Sequence, residues 1–584
     1  MKVIKRDGRI VEYDKSKIVI AIEKANNEVE KKEKATKGDI NKIIKYIEKL
    51  NKKRILVEDI QDIIELKLME LGKYELAKKY IVYRYTRALI RKSNTTDASI
   101  LGLIRNGNRT ESKDTIMAST QRNLVVGEVS KDLTKRILLP EKISKAWEDG
   151  ILYFHDAEYF IQPIINSCNV NMEDMLDNGT VINENMIETP KTFRMACNLM
   201  TQIISAVASN QYGEQFVDMS CLGKYLIKSR DRIRLEVIEE VGKDFNKEKI
   251  EEMVEKRAKR ELSAGIQTMQ YQINTLMTTT GKSPNVTVYL HLKPDDEYLK
   301  ENAIIIEEIL KQRIEGMKNE KGEYITPKYP KLTYILNELN CLNGGEYDYL
   351  TKLALECSAK RKYPYFVSEK YDFNKGFNQG IVSINLPQIA LTVNGNEKEF
   401  WKILDERLEL CKEALMCRHY ALLGTSTDIS PIHWIYGTIS RLEKGEKINN
   451  LLYGDNSNLY LGYIGLCEMA KAIKGINSEE SEKRKFANKV LDYLKNKTTQ
   501  WKKETNVNFL VYEVTGNKVC KELLDIDKDE FGTVEGVTDK ENYTNLCDIN
   551  LPEISQDINE MKNIVQDIYN KGKYVEFKSK VLQS

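Results

Sequence analysis

The sequence has 584 residues, 41% of them apolar, enough for two or more domains around a large buried core, which excludes an intrinsically disordered chain. Its 90 Lys+Arg against 88 Asp+Glu leave a net charge of +2, which excludes broad attraction to nucleic acid or an anionic membrane, so any bound anion has to be held locally. The start, MKVIKRDGRIVEYD, is charged from its second residue, and no later run approaches the roughly 20 apolar residues of a membrane span, so a cytoplasmic protein is expected.

In VIKRDGRIVEY, apolar pairs flank Asp7-Gly8, a dipeptide that tolerates the positive φ angles of a tight hairpin. KSKIVIAIEKANNEV, KGDINKIIKYIEKL, VEDIQDIIELKLMEL and YELAKKYIVYRYTRALIRK then show helical spacing, and in the third Val57, Ile60, Ile64, Leu68 and Leu71 share one face. A hairpin with four helices over residues 1–92 makes one module, and SNTTDAS (93–99) reads as a polar linker. From 100 to 584, strand and helix patterns alternate, which predicts a large α/β domain. NVTVYLHL and GIVSINLPQIAL are its clearest strands, NAIIIEEILKQRIEGM and EFWKILDERLELCKEALMCRHYALL its clearest helices, and 226–262 a charge-laced helical segment. The ten cysteines show no CxxC spacing and there are only four histidines, so thiols rather than disulfides are expected, and no metal centre.

Lys5, Arg6, Arg9 and Lys17 surround Gly8, where backbone can approach a ligand closely, and such a cluster suits a polyphosphate. With the four helices and AKKYIVYR, which contains Lys79, this region closely resembles the ATP-cone, a nucleotide-sensing module that binds ATP and dATP as allosteric effectors. YFHDAEYF, TVINENMIETPKTFRMACNLM, GIQTMQYQINTLMTT, FNQGIVSINLPQIAL, CRHYALLGT, LLYGDNSNLYLGYIGL and VEGVTDKENYTN resemble, in family order, anaerobic (class III) ribonucleoside-triphosphate reductases. The resemblance implies a ten-stranded α/β barrel of the glycyl-radical type, dimeric, serving DNA precursor synthesis. It also implies a partner activase that uses an iron-sulfur cluster and S-adenosylmethionine to place a radical on a C-terminal glycine. That radical oxidises a barrel cysteine to a thiyl, a relay open to sulfur but not to the far stronger O–H bond of serine.

INSCNVNMEDMLDNG departs from the family at this point: aligning Asn166, Met175, Leu176 and Gly179 puts Ser167 in the radical-cysteine position and Cys168 one residue late. Alternation along a strand then sends the sulfur to the opposite face, unless a bulge restores it. Between FVSEKYD and FNQGIVSINL the family's Met-Gly-Cys-Arg segment is missing, and the chain stops at YVEFKSKVLQS without the paired zinc-binding CxxC motifs or the radical loop; Gly572 reads as a turn residue. Cys221 and Asp548 stand where histidine is usual, and Glu214 where glycine is usual. Asn385 matches the family's substrate-site asparagine, and Gly454, Ser457 and Gly462, read as a loop at a helix start, suit a substrate phosphate. Two readings follow. One is a reductase chain whose glycyl radical and zinc reside on a separate C-terminal polypeptide, with Cys168 as the thiyl. The other is a catalytically inactive, nucleotide-binding paralogue that partners a full-length reductase. Departures that cluster at radical positions favour the second.

Overall fold

Val3 faces Val11 where β1 (Lys2–Ile4) runs antiparallel to β2 (Ile10–Glu12), closing the expected hairpin. The computed structural model describes residues 1–584 apart from 1, 5–9, 28, 31, 51–53, 83, 85–117, 244, 280, 342–344, 371–375, 515, 546–557, 573 and 576–584. The linker expected at 93–99 lies outside the described residues. Two compact units result, Met1–Thr115 with Asp525–Val534, and Ile116–Leu524 with Glu535–Ser584.

In the first unit, α1 (Lys15–Asn26) is capped by Asp14, and α2 (Lys37–Lys49) by a reciprocal Thr36–Asp39 box that satisfies two otherwise orphaned N–H groups. A strand that periodicity did not predict, β3 (Arg54–Leu56), pairs parallel with β1, so the hairpin becomes a three-stranded sheet of order β2-β1-β3. Three residues are too few for a period of two to register. Helices α3 (Val57–Glu70) and α4 (74–82) follow. Ile22, Ile47, Ile55, Ile64, Leu68 and Leu76 are buried together between sheet and helices.

The second unit begins with α5 (Ala118–Leu133), α6 (Glu141–Glu148), β4 (Leu152–Phe154), β5 (Ser167–Asn169), α7 (Met172–Asp177), the small hairpin β6 (Thr180–Ile182) and β7 (Asn185–Ile187), α8 (Phe193–Ala208) and β8 (Gln215–Asp218). The charge-laced segment is a helical hairpin, α9 (Gly223–Val241) and α10 (Lys247–Thr275). Ile233, Val237, Ile250, Val254 and Ala258 form its own apolar seam, and Arg234–Glu251 (2.9 Å) and Arg257–Glu240 (2.6 Å) are among its ion pairs. Then come β9 (Val286–Leu290), α11 (Leu299–Glu315), β10 (Met317–Lys318), β11 (Tyr324–Ile325), β12 (Lys331–Leu336), α12 (Glu338–Cys341), α13 (Asp348–Arg361), β13 (Tyr365–Ser368) and β14 (Phe377–Asn385). The expected long strand GIVSINLPQIAL stops at Asn385, which caps helix α14 (Leu386–Thr392), with Pro387 in its first turn. The chain continues through α15 (Glu397–Leu422), α16 (Pro431–Trp434), β15 (Gly454–Ile464), α17 (Leu466–Lys474), α18 (Glu480–Thr505), β16 (Val507–Glu513), α19 (Asn517–Phe531), α20 (Ile558–Lys571) and β17 (Tyr574–Val575).

Ten strands form one mixed sheet, in the order β16-β15-β14-β5-β8-β9-β12-β13-β17, with β4 also paired to β14. Strands β5, β8, β9, β12 and β13 run parallel to one another; β14, β15 and β16 are mutually parallel and meet β5 antiparallel. Eight described cysteines are free thiols, but Cys467, at the start of α17, is disulfide-bonded. That corrects the expectation of thiols throughout, which rested on spacing along the chain, whereas pairing depends on proximity in the fold.

Candidate functional site

The two faces of the sheet differ in chemistry. Trp501 of α18 packs edge-on against Phe509 (5.4 Å), and Gln215 Nε2 donates to the Ile204 carbonyl of α8 (2.8 Å), which marks the helix-covered face. By register, Phe377, Leu459, Ser457 and Cys168 share that face with them, and all are buried. The opposite, inner face carries Ser167, Asn169, Phe216, Tyr289, Asn378, Ser383, Asn458, Tyr460 and Tyr512, polar or aromatic and in several cases partly open.

Cys168 pairs with Phe377 and Ser167 with Asn378, while Cys168 pairs with Gln215 on the other side, all without a register slip. No bulge turns the sulfur inward. The Cys168 thiol, 1% exposed, donates to Gln211 Oε1 (3.1 Å), and its burial pushes its pKa up, away from thiolate. Gln211 Oε1 also meets His433 Nε2 (3.2 Å), and His433 Nδ1 lies 2.6 Å from Ser430 Oγ, so a neutral imidazole donates to the amide and accepts from the hydroxyl. Desolvation holds His433 down at about 3. Ser167, not Cys168, stands on the inner face, and among the described strand residues of that face none is a cysteine.

The other expected residues fall as follows. Asn385 caps α14, accepting from Gln388 N–H (3.4 Å) and donating to the Gly150 carbonyl (3.0 Å), with no exposed surface. Gly454, Ser457 and Gly462 lie in strand β15, not in a loop at a helix start; the helix begins later, at Leu466. The Gly454 N–H donates to the Asn506 carbonyl (2.9 Å), and Ser457 Oγ accepts from Gln379 Nε2 (2.8 Å) on the helix-covered face. Gly462 serves close packing: a Cβ there would meet Ser383 Oγ at 2.0 Å. Lys17 and Lys79 are exposed on α1 and α4, whereas Lys5, Arg6, Gly8, Arg9 and Asp548 lie outside the described residues. Gly572 (φ +62°) follows the end of α20. Glu214 Oε1 accepts from Thr287 Oγ1 (2.6 Å) and Lys331 Nζ (2.9 Å), and Cys221 is buried with its thiol donating to the Asp218 carbonyl.

Residues that sequence reasoning passed over gather in the loop after β4. His155 Nε2 lies 2.6 Å from Ser383 Oγ, and desolvation lowers its pKa to about 3. Asp156 takes a left-handed φ of +49°, uncommon for a non-glycine, and accepts from Asn166 Nδ2 (3.3 Å); burial raises it to about 6. Tyr159 stacks on Tyr212 at 4.7 Å, and Arg418 of α15 donates to the Tyr212 hydroxyl (3.3 Å). The one sequence signal was Gly380 inside FNQGIVS, since a glycine within a strand marks a bulge or a close approach.

A family model described as anaerobic ribonucleoside-triphosphate reductase matches residues 110–572, and an ATP cone domain model matches residues 1–89. This chain belongs to the anaerobic ribonucleoside-triphosphate reductase family. The anaerobic ribonucleoside-triphosphate reductase of Haemophilus influenzae is 32% identical over 585 residues, covering 93% of this chain and 81% of that protein. That of Escherichia coli K12 is 30% identical, covering 93% and 80%, and that of Enterobacteria phage T4 is 30% identical, covering 79% and 80%. In fold, the chain is similar to the anaerobic ribonucleotide reductase of Thermotoga maritima with dATP bound in the specificity site, with a TM-score of 0.60, 14% identity, and 81% of this chain and 86% of that chain covered. The ten-stranded sheet and its flanking helices are thus the reductase barrel fold, preceded by an ATP-binding cone. Among the described residues no group of three His, Cys, Asp or Glu could hold a metal ion, and no helix is long and apolar enough to cross a membrane.

Proposed function

We propose that this chain is a cytoplasmic, cone-regulated, nucleotide-binding member of the anaerobic reductase family that does not reduce ribonucleotides unaided. The observation that carries this is the register of β5, with Ser167 on the inner face and the Cys168 sulfur on the helix-covered face. A serine O–H cannot exchange a hydrogen atom with a glycyl radical, and the Cys168 sulfur lies on the wrong face of β5 to do so. The cone, with Lys5, Arg6, Gly8, Arg9, Lys17 and Lys79, binds ATP and dATP, and the barrel acts as a homodimer alongside a full-length reductase. The test is an anaerobic assay of ribonucleoside triphosphates with the full chain and a radical S-adenosylmethionine activase. No deoxyribonucleotide is expected, while calorimetry records ATP and dATP binding; turnover by the chain and activase alone would overturn the proposal.

A second reading, a reductase completed by a separate glycyl-radical polypeptide, is favoured by the match over residues 110–572. It requires that adding such a polypeptide produce turnover that is lost in Cys168→Ala.

A further inference from the structure

Helix α15 packs on the helix-covered face of β14, yet one of its side chains reaches the inner loops. The register between β14 and β15 slips between Asn378 and Gly380. On the other edge of β14, β5 pairs only as far as Asn378, and β4 begins at Val382. At this gap Gly380 makes room for Arg418: a Cβ on Gly380 would sit 2.1 Å from Arg418 Cδ and 2.7 Å from its Nε. The guanidinium lies 4.1 Å over the Phe154 ring and donates from Nη1 to Tyr212.

Arg418 is 3% exposed, and its Nε and Nη2 have no hydrogen-bond partner among the described residues. Nor does it form an ion pair among them; Asp156 acts on it only from beyond ion-pair distance. Arginine cannot escape by losing its proton, and a buried cation with an unpaired edge is among the costlier arrangements in a protein. The two orphaned donors are the ones that lie side by side on one edge of the planar group, spaced to meet two oxygens of one carboxylate or phosphate.

We propose that Arg418 anchors an oxyanion subsite at the β14–β5 gap, gripping one carboxylate or phosphate group side-on through Nε and Nη2, with Tyr212 beside it. The subsite is independent of ribonucleotide reduction, and absence of turnover leaves it untouched. The 584-residue chain is titrated calorimetrically with sodium phosphate and with sodium acetate at constant ionic strength, sodium chloride being the control. Saturable binding of phosphate alone assigns a phosphoryl ligand, and of acetate alone a carboxylate. Arg418→Lys keeps the charge and loses the fork, so affinity is expected to fall at least about tenfold. Should that variant not fold, the bound anion in the wild-type chain is expected to slow amide exchange in peptides spanning 154–160 and 210–214. No saturation by either anion, equal affinity in Arg418→Lys, or unchanged exchange on binding overturns the proposal.

Discussion

At Cys168, burial and an amide partner leave the sulfur as an inert thiol, because only the thiolate is a nucleophile. Iodoacetamide is expected to alkylate it far more slowly in the native chain than in urea, as read by peptide mass spectrometry; equal rates would contradict its placement. His433 carries a pH dependence whose sign follows from its shift from 6.5 to about 3. Between those values the unfolded chain binds the extra proton, so stability is lost as pH falls from about 6.5 toward 3, at up to about 1.4 kcal/mol per pH unit. His155 acts in the same direction, whereas Asp156, raised from 3.8 to about 6, binds its proton more tightly when folded and offsets one histidine between those values. Urea midpoints measured from pH 4 to pH 7 are expected to rise, and His433→Gln to flatten the rise. A wild-type profile that is level or falls over that range would refute the assignment.

Among the elements, β15 is the clearest case of tertiary context overriding local pattern. Glycine and asparagine in YGDNSNLYLGYIGL read as a loop, yet pairing with β14 and β16 on both sides makes it a central strand. Its Gly462 is there because Ser383 leaves no room for a methyl group. Gly462→Ala is expected to cost about 1–3 kcal/mol by overpacking, and Ser383→Gly to recover part of it in the double variant; additive losses in denaturant midpoints would show that the two do not touch. The α9–α10 hairpin was legible from its charge pattern, but the energetics lie in its seam. Val254→Ala is expected to cost about 1–3 kcal/mol, against less than about 0.5 kcal/mol for Arg234→Ala, whose ion pair is solvent-screened. The reverse ranking would place the stability in the charges.

For the molecule as a whole, sequence periodicity located the long helices and the family order located the barrel, because both signals extend over many residues. Short strands without a turn signal beside them were not legible: β3 and β4 have three residues each, and only their neighbours in space define them. His155 reaches Ser383 across 228 positions and Arg418 reaches Tyr212 across 206, so no local spacing unites the loop after β4 with α15. The cone is expected to couple to overall stability by mass action. ATP at a hundredfold excess over its dissociation constant should add about 2.7 kcal/mol to the unit that binds it, seen as a rise in its melting temperature. No rise at saturating ATP would remove the effector role. Arg418 gives the barrel a further property. Its head sits among the loops inside the sheet while its backbone belongs to a helix outside it, and Tyr420, two positions on, is 62% exposed. Any occupant that tugs on the guanidinium can pull on just that helix, so a fluorophore at position 420 would report from the outer surface on what happens within.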